Sequence, residues 1–249
     1  MTTALPPGWK VKPIGELLAP LDDGRTLHHG WSPQCEKDPI QTPGAFYGGT
    51  GPHGPLALPG DYQVKLTANG KTQTATLHLS IDPRTKGQEE ALQKQFVLSQ
   101  QVTDRISQLH QAINEIRDLK SQIKALHAKF DKEERVKPAL AAADEMEHRM
   151  SEVEQQLIQV NLKGSEGSLA FPVMLNEQLD TFSHSIDAGD REPTKPQMDV
   201  FTSLSGRLDA QLQKWAQIQK DDLPKVTALI KQADLPPLLV KPKPGENKT

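Results

Sequence analysis

The chain has 249 residues, 29 basic and 32 acidic side chains, a formal net charge of −3 and 4% aromatic residues, enough for one or two domains with a real core. That balance gives no reason to expect a nucleic-acid or membrane partner, and no stretch approaches the ~18 consecutive apolar residues that span a bilayer. The single cysteine, Cys35, excludes an internal disulfide, and the opening MTTALPPGWKVKP lacks the apolar core of a signal peptide.

Proline and glycine divide the chain. Residues 1–60 hold ten of the 17 glycines and ten of the 20 prolines, whereas Gln88 to Lys137 contains neither. Breakers end regular structure, so a boundary is expected near Asp82-Pro83. The head, 1–37, offers only WKVKP and GELLAPL, both short and proline-bounded, and is expected to be poorly structured.

A β-hairpin follows. Tyr62, Val64 and Leu66 alternate with polar residues, as do Leu77, Leu79 and Ile81 on the return, the period of a half-buried strand. Asn69-Gly70 supplies the two residues with φ > 0 that a tight type I′ turn requires. Such a hairpin is marginal alone in water. It must pack on something.

The remainder reads as helix. Thr85 and Gln88 suggest a capping box. From Val102 through Ile106, Leu109, Ile113, Ile116, Leu119, Ile123 and Leu126 to Phe130, apolar residues keep 3-4 spacing, predicting a helix over about 88–130. A second helix opens near Pro138 and carries Leu140, Ala143, Met146, Met150, Val153, Leu157 and Val160. A loop over 161–168 leads to a short helix with Leu175, Leu179, Phe182 and Ile186. Thr194 and Gln197 suggest another capping box, opening a helix that passes Phe201, Leu204, Leu208, Leu212, Trp215 and Ile218 and is expected to bend at Pro224. Residues 236–249, rich in Pro and Lys, are expected to be a disordered tail. The fold class is mainly α: an elongated antiparallel bundle of three or four helices over 85–235, preceded by a partial β region over 38–84. A coiled-coil dimer is the alternative, because Val102, Leu109, Ile116, Ile123 and Phe130 recur every seven residues.

No reactive constellation stands out, and no catalytic, cofactor or metal residue is assigned. His28, His29 and Cys35 in LHHGWSPQC could ligate a metal, but a structural zinc site wants four ligands and no second cysteine exists. Glu145 and His148 form one E-x-x-H, whereas di-iron bundles need two; His110, His127 and His184 have no glutamate three residues earlier. Asp131/Arg135, Glu133/Lys137 and Glu145/Arg149 read as exposed i,i+4 pairs rather than a reaction centre. GAFYGGTGPHGP is glycine-rich but lacks the lysine and following helix that phosphate binding needs, and reads as a loop. The apolar seams are therefore expected to close on each other without a cluster of buried ionisable groups between them.

The stretch Asp38 to Arg84 carries Gly54-Pro55, Pro59-Gly60, Tyr62, Val64, Leu66-Thr67, Gly70 and Asp82-Pro83-Arg84. It resembles the last strands of the Ig-like domain in bacterial sortilin-type β-propeller proteins with BNR/Asp-box repeats, many of them labelled glycosyl hydrolases. Asn114-Glu115-Ile116-Arg117, Leu175-Asn176 with Leu179, and Leu208-Asp209 to Trp215 followed by Asp222-Leu223-Pro224 resemble that family's helical segment. The Asp-box repeats, the W-D-L-R-Y strand and any family likeness over residues 1–37 are missing. The resemblance implies a truncated or frame-shifted product whose glycosidase label belongs to the absent propeller, and an exported parent. With the long apolar stripes and the lack of a reactive constellation, the expected function is a non-catalytic C-terminal module, a spacer or protein-interaction element whose partner is a protein: the missing propeller domain or a second copy. The alternatives are a fragment of a glycoside hydrolase and a self-standing helical adaptor that dimerises.

Overall fold

The structure, a computed structural model, describes residues 39–47, 51–68 and 71–240. The expected head over 1–37, with His28, His29 and Cys35, lies outside them, as do the Asn69-Gly70 turn and residues 241–249.

Two strands come first. β1 (Gly60–Ala68) and β2 (Lys71–Leu79) pair antiparallel, with Gly60 opposite Leu79, Tyr62 opposite Leu77 and Val64 opposite Ala75. Directly opposed residues share a face, so the alternation in the sequence becomes one apolar and one polar face. Among the described residues the sheet has two strands, β1 and β2.

Four helices follow: α1 (Glu89–Phe130), α2 (Lys137–Leu157), α3 (Leu175–Ile186) and α4 (Lys195–Gln232). The chain is thus mainly helical with a small hairpin ahead, as the patterning predicts. α1 has 42 residues, uninterrupted by glycine or proline, about 63 Å at 1.5 Å per residue. Its start differs from expectation: Thr85 ends a 3-10 turn, and Gln88 makes no side-chain cap. The physical reason is Gly87, whose φ of +89° turns the chain between that turn and the helix. The box at α4 forms as read, with Thr194 and Gln197 each satisfying the other's backbone N–H. Pro196 sits in the first turn, where its missing N–H costs nothing. α4 runs on through Pro224 to Gln232 without interruption.

Cross-links between the helices fix their directions. Arg105 meets Asp209, and Glu115 accepts from Trp215 Nε1 at 2.9 Å, so α1 and α4 run parallel. Arg117 and Lys120 reach Glu154, and Arg149 reaches Asp222, so α2 is antiparallel to both. Gln95 donates to the Ile186 carbonyl and Arg207 to Gln178, so α3 is antiparallel to both as well. The molecule is a three-rod bundle whose third rod is split. α2 covers the C-terminal half of α1, and α3 covers the N-terminal half.

The core is one continuous cluster along the rods. Val102, Leu109, Ile116 and Ile123 are fully buried within it. The seven-residue seam that offered a coiled-coil dimer is therefore consumed by the chain's own α2, α3 and α4. The end of the chain also differs from expectation. Leu235 and Leu238 are buried in the same core, and Gln122 brackets Leu239 by accepting from its N–H and donating to its carbonyl, both at 2.8 Å. The tail predicted to begin at 236 is packed as far as Val240 because Leu238 and Val240 lie against the apolar core, whereas Leu239 is exposed.

Candidate functional site

Ser107, His110, Asn114 and Arg117 recur at 3-4-3 spacing, which puts them on one face of α1. An extended strap, Pro39–Tyr47, lies along that face and is held through its own backbone. The Ile40 N–H donates to Ser107 Oγ at 3.2 Å, and His110 Nδ1 donates to the Ile40 carbonyl at 2.5 Å. Asn114 Nδ2 donates to the Gln41 carbonyl at 2.9 Å, and Arg117 Nη1 to the Pro43 carbonyl at 2.6 Å. The Thr42 hydroxyl faces the His110 carbonyl and, closer at 2.7 Å, Asn114 Oδ1. A segment with two prolines has carbonyls to satisfy and few N–H groups to pair among themselves. The polar row on α1 satisfies them.

Tyr47 ends this part of the strap. Its hydroxyl lies 2.6 Å from His110 Nε2, and Asn176 of α3 hydrogen-bonds it. Since Nδ1 donates to a carbonyl, Nε2 of a neutral ring is the acceptor and Tyr47 the donor. His110 is 0% exposed. Burial depresses its pKa, and the Arg117 charge depresses it further against the Ile40 hydrogen bond. Burial pushes the Tyr47 phenol well above its usual range, with Asp180 and Glu177 adding to the effect. Gly51 closes over the ring with φ +81°, where a Cβ would lie 3.3 Å from Tyr47 Cδ2.

A second histidine station lies beside the first. His53 Nδ1 donates to the Gly54 carbonyl at 2.8 Å, and its Nε2 faces His184 Nδ1 at 3.3 Å. His184 Nε2 in turn faces Asp180 Oδ1 at 3.6 Å, one helical turn away. Asp180 is 3% exposed, and Oδ1 has no hydrogen-bond partner. Burial holds its carboxyl above the usual range; the two histidines pull the other way and Glu177 adds to the rise. Asp187, bonded by Ser99 Oγ, and Glu177 are raised by burial too. In the row Asp180–His184–His53 the two imidazoles are within hydrogen-bond distance of each other, whereas Asp180 meets His184 only as a charge neighbour. Below it, a cavity of about 170 Å³ opens between the hairpin base and α1, lined by Leu56, Leu58, Leu92, Phe96, Asp187 and Asp190.

The sequence singled out other residues. Glu145 and His148 are both exposed, and His148 faces Glu152 at 3.5 Å. The three expected i,i+4 pairs are replaced, because each cation finds a nearer carboxylate. Arg135 pairs with Glu133, Lys137 with Glu134, and Arg149 with Asp222 across the bundle. Among the described residues, no group of three or more His, Cys, Asp or Glu is arranged to hold a metal ion, and no helix is long and apolar enough to cross a membrane. The expectation of seams free of buried ionisable groups fails at α3. His110, Glu177 and Asp180 are buried there, between α1, α3 and the strap. The glycine-rich loop read as plain connection supplies Tyr47 and His53 to this cluster. One signal was legible: Asn176, Asp180 and Ser183 keep 4-3 spacing beside Leu175, Leu179, Phe182 and Ile186, polar residues at core period on a short helix. No family model, curated protein or solved structure matches the chain.

Proposed function

We propose that the chain is a non-catalytic interaction module: a rigid helical bundle that presents a two-stranded ribbon to a β-rich partner domain. The observation that carries this reading is the ribbon's uncovered apolar face. Tyr62 is buried at its base, its hydroxyl donating to the Leu58 carbonyl. On the same face, the Val64–Ala75 pair beyond Tyr62 is exposed, with Val64 at 39%, and Leu79 at the base, opposite Gly60, is 36% exposed. The opposite face carries Asp61, Gln63, Thr74, Thr76 and His78, which suit water. An apolar face on a free two-stranded ribbon is a docking surface. Its edges ask for strands, since only another extended chain matches a row of alternating N–H and C=O groups. This fits the likeness to the closing strands of an Ig-like domain, with the rest of that domain, or the propeller of a sortilin-type protein, as the partner.

The test uses the whole chain and the Ig-like strands of a sortilin-type β-propeller protein, cut before its own P-G-x-Y strand. An equimolar complex by light scattering, with slowed amide exchange in β1 and β2 and loss of both on Val64→Lys, is the expected result. Absence of a complex at micromolar concentrations overturns it. Turnover of an aryl-glycoside by the purified chain would replace it with the enzyme reading.

A further inference from the structure

We propose that the strap Pro39–Tyr47 is a proton-released latch on α1, with His110 as its sensor: acidification frees the strap while the helical bundle stays folded. In the neutral ring each hydrogen bond at His110 takes one direction. The Asn176 amide bonds Tyr47, the Tyr47 hydroxyl donates to Nε2, and Nδ1–H donates to the Ile40 carbonyl. A proton added at Nε2 forces the Tyr47 hydroxyl to swing its hydrogen away and accept instead, and it leaves a cation buried beside Arg117. The ring is wholly buried and cannot turn to water without the strap leaving. The charged and titratable groups around it come from each packed element. Tyr47 belongs to the strap, Arg117 to α1 itself with Glu154 of α2 paired behind it, and Glu177 and Asp180 of α3 stand beyond Tyr47. Arg117 is the charge that acts directly on His110, and it opposes a second cation.

His110 is lowered in the folded chain, so its contribution to docking is complete above the ordinary histidine value of about 6.5 and is lost as pH falls through the folded value. Glu177, Asp180 and Asp187 are raised, so their contribution runs the other way and strengthens on acidification. They sit on α3 or at its end, not on the strap. The two trends therefore separate by segment: strap amides loosen in acid, whereas α3 amides do not.

Hydrogen exchange of the full chain between about pH 8 and pH 5, corrected for the intrinsic pH dependence of exchange, reads this segment by segment. Protection over 39–47 should fall by about tenfold or more, with α1 and α2 unchanged. Nitrogen NMR of the His110 ring should show Nε2 gaining its proton over the same interval. His110→Gln, which stays neutral, should flatten the strap's pH response. If that variant does not fold, the wild-type comparison of ring titration with strap protection decides alone. Constant strap protection across the range overturns the latch. So does loss of protection while the His110 ring stays neutral, or an unchanged pH response in a folded His110→Gln.

Discussion

The two halves of α1 face different neighbours. Its C-terminal half meets α2 through Ala139, Leu140, Ala143, Met146, Met150, Val153 and Leu157, an apolar stripe on a 21-residue helix. The one buried ion there, Glu154, is bracketed by Arg117 at 2.6 Å and Lys120 at 3.0 Å. Its N-terminal half meets α3, only 12 residues long, and the strap crosses its middle from Ser107 to Arg117. Among the described residues, nine of the ten buried polar or charged side chains lie under α3 and the strap, from Thr42 and Gln95 to Ser183. The difference follows from what covers the helix. A helix satisfies its own backbone and brings only side chains to the seam; a proline-rich strap brings bare carbonyls, so the facing helix must supply donors. One end is a dry seam between helices, and the other is a polar seam that satisfies the backbone of a covering segment.

The contrast breaks most severely at the dry end. Ile123 is fully buried in the core, and Ile123→Ala removes most of a side chain from a close-packed seam, at a cost of about 2–5 kcal/mol. Urea unfolding should show the midpoint falling with the slope unchanged, and a loss below about 1 kcal/mol would mean that this end is loosely packed. Glu154→Gln comes next. It leaves two partly exposed cations without their shared anion and should cost about 1.5–3 kcal/mol in the same assay. Because Arg117 also donates to Pro43, the strap should lose some protection in that variant. A strap untouched by it would show that the two ends do not communicate through Arg117.

At the polar end the expected effects are local. Thr42→Val keeps the shape and removes the hydroxyl shared between the His110 carbonyl and Asn114, at a cost of about 1 kcal/mol to strap docking alone. Exchange over 39–47 should quicken severalfold while the thermal midpoint of the bundle stays within about 1 °C. A matching fall in the midpoint would make the strap part of the cooperative core.

The dry end was legible in the sequence, and the polar end only in the spacing of Asn176, Asp180 and Ser183, for a physical reason. Helix α1, the α4 capping box and the ribbon's two faces each follow from residues within a few positions of one another, so periodicity and cap chemistry reach them. His110, Asn114 and Arg117 sit just beside the apolar stripe, where a polar residue reads as a solvated flank. Their partners Ile40, Thr42 and Pro43 lie about 70 residues away in a segment without period. Nothing local announces that a loop will bury them. Likewise, the packing of Leu235 and Leu238 is hidden by the prolines between them, which mark the end of a helix but not the end of a core.

The smallest effect sharpens the comparison in the opposite direction, because it is a gain. Asp180 Oδ1 is buried with no hydrogen-bond partner, 3.6 Å from His184 Nε2. Asp180→Asn keeps the shape and removes a charge that burial disfavours, at the loss of an attraction to His184 and His53. A net gain of about 0.5–1 kcal/mol near pH 8 is expected. The pH dependence has a definite sign. Burial raises the folded carboxyl above its unfolded value of about 3.9, so in the native protein its contribution is complete below that value and fades as pH rises through the folded one. The advantage of the asparagine must therefore grow with pH, largest near pH 8 and vanishing toward pH 4. Thermal melts of both proteins across that range check it. An advantage that shrinks as pH rises would show that the Asp180 carboxylate stabilises the α3 seam by pairing with His184, and the polar end would then be as well satisfied as the dry one.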